Sequence, residues 1–153
     1  MITKEQVLDA QKQWGEGVVK IGSLKETRSA CEAFASQFLD ERYTFENGPV
    51  LFKPTKCAEE QFRPSKVEAL SYFIAGDDRK CKEDQGFAIN PWTNVRFENS
   101  EFILEENRAI AMGNYFFTDL NDNVAKVEYT FGYKLINGEL KIDLHHSSFP
   151  YNP

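Results

Sequence analysis

The chain has 153 residues, of which 41% are hydrophobic, 14% aromatic and 27% charged, and its formal net charge at pH 7 is −6. This length predicts a single domain spanning residues 1–153, and the composition is too apolar for a disordered segment. No apolar run reaches the roughly 18 residues needed to cross a bilayer, which excludes a transmembrane protein. The acidic balance, without any basic cluster, argues against nucleic acid as a partner.

The cysteine and histidine counts restrict the chemistry further. The three cysteines are odd in number and far apart in sequence, which fits reduced thiols and predicts a cytoplasmic protein. The two histidines, His145 and His146, are adjacent, so one chain cannot supply a three-histidine metal site. No Cys-x-x-Cys pair exists either, and the sequence therefore predicts no zinc site.

Three helices are predicted in the first half of the chain. Each begins at a capping box, in which a Ser or Thr side chain and a Glu or Gln three residues later satisfy each other's backbone donors. Apolar residues at spacings of three and four follow, as expected of a helix with one buried face, and the third helix is predicted to turn Val67, Leu70 and Ile74 inward. The boxes are Thr3 with Gln6, Ser23 with Glu26 and Ser65 with Glu68, and the helices end near Gly22, Asp40 and Gly76.

The segment between the second and third helices is irregular. Val50–Phe52 is predicted to be a short strand, which Pro54 ends because proline has no backbone N–H for a sheet. Thr55 follows and is predicted to cap a helical turn that reaches Gln61.

From Phe87 onward the apolar residues recur with a period of two, which predicts strands over 93–105, 108–118, 124–136 and 139–149. The turns between them are short, and Asn137-Gly138 is a strong hairpin signal, so the strands form an antiparallel meander. Helices followed by a meander predict an α+β fold, with the N-terminal helices packed on one face of a curved antiparallel sheet.

Both faces of this predicted sheet carry apolar residues. Tyr115 and Phe117 belong to one face of their strand, whereas Ile110, Met112 and Phe116 belong to the other. A sheet covered by helices on one face only is expected to be polar on the opposite face. We therefore expect the outer face to be buried as well, in a homodimer.

The C-terminal stretch LHHSSFPYNP concentrates the residues that can carry chemistry. Side chains alternate across a strand, so His145 and Ser147 share one face while His146 and Ser148 share the other. Imidazole titrates near neutral pH, and a paired His and Ser can act as base and hydroxyl donor. The same side chains are equally suited to bonding the backbone at a strand end or to lining a dimer interface. Asp143 and Lys141 share the strand face of His145, where they either orient the imidazole or are solvated.

Tyr72 is a further candidate because it lies on a flank of the inner face of the third helix. That position suits a hydroxyl directed into a cavity between helix and sheet, and it also suits a core tyrosine whose hydroxyl is hydrogen-bonded.

Two resemblances extend these observations. LHHSSFPYNP resembles the end of domains related to the association domain of calcium/calmodulin-dependent protein kinase II. Most of the chain is similar to the small cyanobacterial and algal members of the iota class of carbonic anhydrases. The segments that carry this second resemblance are VLDAQKQWGEGVVKIG, GPVLFKPTKCAEEQFRP, EALSYFIAGD, GFAINPWTNVRFEN, AMGNYFFTD and VEYTFGYKLINGELKIDLHHSSFPYNP.

The resemblance implies a nuclear-transport-factor-2-like cone, usually dimeric, that converts CO2 to bicarbonate reversibly. Diatom members of the class are described with manganese, whereas the smaller type that this chain resembles is described as working without metal, so the implied cofactor is none. The histidine count agrees with a metal-free site. A zinc carbonic anhydrase needs three protein ligands, which lower the pKa of a zinc-bound water, and this chain lacks the histidines for them. Activity would then come from a pocket that positions water and CO2 by hydrogen bonds.

The family pattern points to Thr55, Tyr72, and His145 with Ser147. In this interpretation the hydroxyls of Thr55, Tyr72 and Ser147 hold bicarbonate oxygens and the attacking water, and the imidazole tunes or relays its proton.

One conflict arises within the last strand. Plain alternation places His146 and Ser148, rather than His145 and Ser147, on the same face as Ile142. If that face lines the pocket, the implied pair points away from it unless a β-bulge intervenes.

An alternative from another class is a non-catalytic binding or assembly module, like the kinase association domain. The two-faced apolar sheet favours it, as does the lack of a recognisable pair of acid and base carboxylates. A third possibility, an isomerase or cyclase of the same fold, requires an aspartate near a tyrosine in the cavity.

Overall fold

The computed structural model describes all 153 residues, and their helices are α1 (Lys4–Ser23), α2 (Arg28–Arg42) and α3 (Lys66–Ile74), with a 3₁₀ turn at Phe45–Asn47. The strands are β1 (Leu51–Lys53), β2 (Trp92–Leu104), β3 (Arg108–Asp119), β4 (Val124–Ile136) and β5 (Glu139–Ser148). None of the helices has the length and apolar character needed to cross a membrane.

Two of the three predicted capping boxes form. The side chains of Thr3 and Ser65 accept from the backbone N–H three residues later, and the reciprocal bonds are also present. The box at Ser23 is wrong, because α1 runs through this residue and its hydroxyl donates to the carbonyl of Lys20. The second helix begins four residues later than that box predicts, after Thr27.

The four long strands form the predicted antiparallel meander, and the strand order in the sheet is β1-β5-β4-β3-β2. The sheet is mixed, because the short β1 pairs with β5 in parallel. Its parallel arrangement follows from the chain path, since β1 is joined to the meander through α3 and a long loop rather than through a hairpin. The α+β prediction is confirmed, with one parallel edge strand added.

The helices cover one face of the sheet, and the core between the two layers is rich in aromatic rings. Trp14 of α1 stacks on Tyr115 of β3 with ring centroids 5.5 Å apart and contacts Phe131 of β4 edge-on. Val67 is 61% exposed, so its predicted inward orientation is wrong, whereas Ile74 is buried. The inward row of β3 and β4, including Tyr115 and Phe131, is buried as predicted.

Two glycines of α1 allow the close packing of this layer. A Cβ atom at Gly17 would lie 2.4 Å from the ring of Phe38, and one at Gly15 would lie 3.1 Å from Cβ of Val95. Each glycine costs a helix about 1 kcal/mol relative to alanine. Both positions lie where α1 meets α2 or β2, so a side chain there would overpack the contact.

Candidate active site

A β-bulge in β5 turns the two candidate residues of this strand inward. Tyr133 of β4 pairs with Ile142, but the preceding Gly132 pairs with Leu144, so Asp143 is an extra residue in β5. The insertion reverses the alternation beyond it. Ile142 is therefore buried on the same side as His145 and Ser147, which are 2% and 1% exposed.

The parallel pairing of β1 with β5 brings Thr55 to the same place. Phe52 lies opposite His145 in the sheet, and its ring stacks on the imidazole with centroids 4.8 Å apart. Thr55 lies two residues beyond the end of β1, and its Oγ1 lies 2.5 Å from Oγ of Ser147. The predicted helical turn after Thr55 is wrong, since residues 55–61 form turns and bends. Thr55 therefore does not cap a helix.

Tyr72 approaches the site from α3. It is buried, and its Oη accepts a hydrogen bond of 3.2 Å from the backbone N–H of Lys56, the residue after Thr55. Its ring stacks on Phe87 with centroids 5.5 Å apart. The hydroxyl of this residue is thus hydrogen-bonded and also borders a cavity, so the two alternatives for Tyr72 are compatible.

His145 does not contact Ser147 directly, because a tyrosine lies between them. Nε2 of His145 lies 3.0 Å from Oη of Tyr115, which donates to Oγ of Ser147 at 2.5 Å. On the other side of the ring, Nδ1 lies 2.9 Å from Oη of Tyr43, which accepts from Nε1 of Trp14 at 3.0 Å. The hydrogen-bonded chain formed by these side chains comprises Trp14, Tyr43, His145, Tyr115, Ser147 and Thr55.

The sequence interpretation missed Trp14, Tyr43 and Tyr115 as members of this chain. Two of them were visible as core residues, since Trp14 belongs to the apolar stripe of α1 and Tyr115 to the inward row of β3. Tyr43 follows α2, in the irregular segment, and no periodic pattern marks it. Polar contacts among the buried ends of such side chains follow from the packing of the helices on the sheet, which a one-dimensional pattern does not specify.

These residues enclose a very small cavity between α3, β1 and the sheet. The volume that the centre of a water-sized molecule can occupy in it is about 10 Å³. This is about the minimum for one bound water. Its polar groups are hydroxyls and an imidazole, and aromatic rings and a proline make up the rest. The residues that line it are Trp14, Phe52, Pro54, Thr55, Tyr72, Phe73, Phe87, Tyr115, His145 and Ser147.

The cavity is electrically neutral at physiological pH. Burial lowers the pKa of the His145 imidazole well below its usual value, and the nearby His146 lowers it further. Burial likewise raises the pKa of the Tyr72 and Tyr115 phenols, which keeps both hydroxyls protonated. In such surroundings a hydroxyl donor interacts more strongly with a developing negative charge than it does in water.

No carboxylate lines the cavity. Asp143 pairs with Arg108, and Nζ of Lys141 donates to the carbonyl of Asp40, so neither residue orients the imidazole. The aspartate required for an isomerase or cyclase of this fold is therefore not in place. No group of three His, Cys, Asp or Glu side chains lies close enough together to hold a metal ion.

A buried ion pair connects the segment after Thr55 with the loop after α3. The two Nη atoms of the Arg63 guanidinium donate to the carboxylate of Asp84, at 2.9 and 2.8 Å, and both side chains are fully buried. The hydroxyl of Ser71, next to Tyr72 on α3, donates to the same carboxylate at 2.5 Å. The segment after Thr55, the loop after α3 and α3 itself are thus tied to one carboxylate.

Three helices packed on one face of a curved, mixed five-stranded sheet give this chain a nuclear-transport-factor-2-like fold. Such a protein of unknown function from Shewanella oneidensis shares this fold (TM-score 0.60, 14% identity, 96% of this chain and 99% of that one). So does a protein from Xanthomonas campestris described as a calcium/calmodulin-dependent protein kinase II association domain (TM-score 0.66, 19% identity, 100% and 91%). At these identities the likeness establishes the fold alone, which was predicted correctly.

Closer relatives identify the family. The sequence profile of metal-independent carbonic anhydrases matches residues 5–149. A metal-independent carbonic anhydrase from Nostoc sp. (strain PCC 7120) is 39% identical over 98% of this chain and 75% of its own length. The crystal structure of a cyanobacterial iota-carbonic anhydrase complexed with bicarbonate is 37% identical and superposes with a TM-score of 0.94 over 99% of this chain and 94% of that one. The chain belongs to the metal-independent carbonic anhydrase family.

Proposed function

We propose that this chain hydrates CO2 to bicarbonate reversibly in the cavity bounded by Thr55, Tyr72, His145 and Ser147, without a metal ion. The family match over residues 5–149 carries the reaction. The lining of the cavity matches the chemistry of that reaction, since aromatic side chains are compatible with an apolar gas and hydroxyls can bond the oxygens of an anion.

The hydroxyls of Thr55 and Tyr72 act on the negative charge that forms during hydration. When water attacks the carbon of CO2, a C–O bond forms, an electron pair moves onto an oxygen of the former CO2, and one proton of the attacking water passes to bulk water, so that bicarbonate and a proton are the products. Tyr72 accepts from a backbone N–H, which leaves its own proton free to donate to that oxygen. Thr55, bonded to Ser147, presents a second hydroxyl at the same cavity. Donors held in place before the reaction stabilise such charge without reorganising.

We assign His145 a positioning role in this proposal, because both of its ring nitrogens are bonded to tyrosines. It tunes the site through Tyr115 and Ser147, and these two residues connect it to Thr55 at the cavity. Ser147 bonds the hydroxyls on either side of it and lines the cavity itself.

The activity is tested by stopped-flow CO2 hydration on protein dialysed against EDTA. We expect a rate above the uncatalysed one that is unchanged by the chelator and by later addition of zinc or manganese. Activity that disappears with EDTA and returns with manganese would contradict the metal-free reaction, and absence of activity under every condition would contradict the enzyme. The family match makes the non-catalytic association module the disfavoured alternative.

We also propose that two copies of the chain associate through the outer face of the sheet. Apolar side chains remain exposed there, including Ile103 at 60%, Met112 at 56% and Val124 at 58%. Measurement of mass in solution by light scattering is expected to give twice the mass of one chain. Met112→Lys is expected to yield monomers, whereas Leu120→Lys, at a 66% exposed residue in the turn after β3, is expected to leave the mass unchanged. A monomeric wild-type protein would refute the dimer.

The cytoplasm is the compartment that the thiols favour. Cys31, Cys57 and Cys81 are all buried and free of disulfides, as is usual in a reducing environment.

A further inference from the structure

We propose that the indole N–H of Trp14 sets the direction of the whole hydrogen-bonded chain, so that His145 carries its single proton on Nε2 and Thr55 turns its hydroxyl proton toward the cavity. Trp14 is then a positioning residue that acts through five other side chains. Its catalytic consequence rests on the proposed function, whereas the protonation pattern itself is measurable without any assay of activity.

The direction begins at the one member of the chain that can only donate. An indole N–H has no acceptor atom, so the oxygen of Tyr43 must accept from Trp14. Tyr43 is completely buried, and its hydroxyl has just one other partner, Nδ1 of His145. If Nδ1 carried a proton, Tyr43 would accept two bonds and its own proton would face no acceptor. An unmet buried donor carries a free-energy penalty, and therefore Tyr43 donates to a bare Nδ1.

The hydrogen bonds between His145 and the cavity take their directions from the same requirement. A neutral imidazole with a bare Nδ1 has its proton on Nε2, which donates to Tyr115. Tyr115 in turn donates to Ser147. Ser147 is buried, and the only other partner of its hydroxyl is Thr55, so Ser147 donates to Thr55.

Thr55 is where the chain ends. Its oxygen accepts from Ser147, so its own proton points away from Ser147, to the side where Tyr72 borders the space that the substrate would occupy. In the whole protein, the only buried side-chain polar atom without a hydrogen-bond partner is Oη of Tyr133, which does not belong to the hydrogen-bonded chain. The protein thus satisfies its buried polar groups almost completely, so an unmet proton within this series would be an exception.

A consequence for the site is that His145 is a donor in the resting protein. Its one basic nitrogen is occupied by Tyr43 and directed away from the cavity. Reversing the chain, so that His145 accepts a proton from the Thr55 side, would leave the proton of Tyr43 without an acceptor. Trp14 therefore biases the cavity toward donating hydrogen bonds to an anion.

The test is nitrogen NMR of protein labelled with ¹⁵N in its histidines, because the chain contains only His145 and His146. A His146→Gln sample assigns the two rings. In the wild-type protein we expect a protonated, pyrrole-type signal for Nε2 of His145 and a bare, pyridine-type signal for Nδ1. The opposite pattern, or a doubly protonated ring at neutral pH, would overturn the proposal.

Removing the indole N–H tests its cause. Benzothienylalanine has the shape of tryptophan with sulfur in place of N–H, and in a Trp92→Phe background it replaces Trp14 alone, since the chain has two tryptophans. We expect a measurable population of His145 protonated on Nδ1, together with a lower kcat. An unchanged Nε2 pattern would refute the role of Trp14. Trp92→Phe with ordinary tryptophan at position 14 is the control, because Nε1 of Trp92 bonds only the carbonyl of Phe87, and it should keep the wild-type pattern.

Discussion

Replacing Ser147 by alanine is expected to lower kcat/KM for CO2 hydration by about 10²–10³-fold, the usual cost of losing one preorganised donor. Ser147 is the link between Tyr115 and Thr55, with both contacts at 2.5 Å. Without its hydroxyl, Thr55 is no longer held in one orientation and the proton of Tyr115 has no acceptor. The measurement is stopped-flow hydration across a range of CO2 concentrations, so that kcat and KM are separated.

Ser148 provides the matched control for this substitution. It is the next residue on the same strand, but it lies on the opposite face and its hydroxyl donates to Glu128 at 3.2 Å. Ser148→Ala is expected to retain wild-type kinetics. A buried hydroxyl also contributes about 1–3 kcal/mol when its removal leaves partners unpaired, so urea unfolding of both variants is needed to show that they are folded during the assay. Equal activity of the folded Ser147→Ala and Ser148→Ala variants would exclude Ser147 from the site.

The sequence predicts the scaffold of this molecule far better than it predicts the contacts of the cavity. Periodicity located all four strands of the meander to within one or two residues, because one buried face repeats along every strand. The second capping box failed because the helix signal from α1 continues through Ser23 and overrides a local motif.

The bulge at Asp143 shows why site geometry is harder to predict. Nothing in the local pattern of β5 marks the extra residue, yet it decides which of two neighbouring histidines faces the cavity. Its position depends on the pairing with β4, where Gly132 leaves room for Leu144: a Cβ at Gly132 would come within 2.8 Å of that of Leu144. Pairing between strands is a tertiary property. Alternation alone placed His146 and Ser148 on the face of Ile142, whereas the resemblance to a family pointed to His145 and Ser147, the pair that faces the cavity.

Asp84→Asn is expected to lower the free energy of unfolding by about 3–5 kcal/mol, more than any other substitution considered for this protein. The substitution removes the negative charge that compensates a fully buried guanidinium, and it places an amide N–H₂ where Arg63 or Ser71 now donates. Arg63 also bonds the carbonyls of Glu60 and Glu68, so it cannot turn toward solvent without breaking both of these contacts.

Urea unfolding followed by circular dichroism measures this loss, with Asp40→Asn as the control. Asp40 makes the same kind of ion pair with Lys66 at 2.8 Å, but both side chains are about one-third exposed, and pairs of this kind contribute about 0–1 kcal/mol. A loss as small for Asp84→Asn as for Asp40→Asn would mean that the buried pair does not hold this part of the fold. If the loss is large, activity should fall in the variant even where it remains folded, because Asp84 ties the segment that carries Thr55 to the helix that carries Tyr72. Removing a charge outside the cavity would then loosen both hydroxyls that meet the substrate.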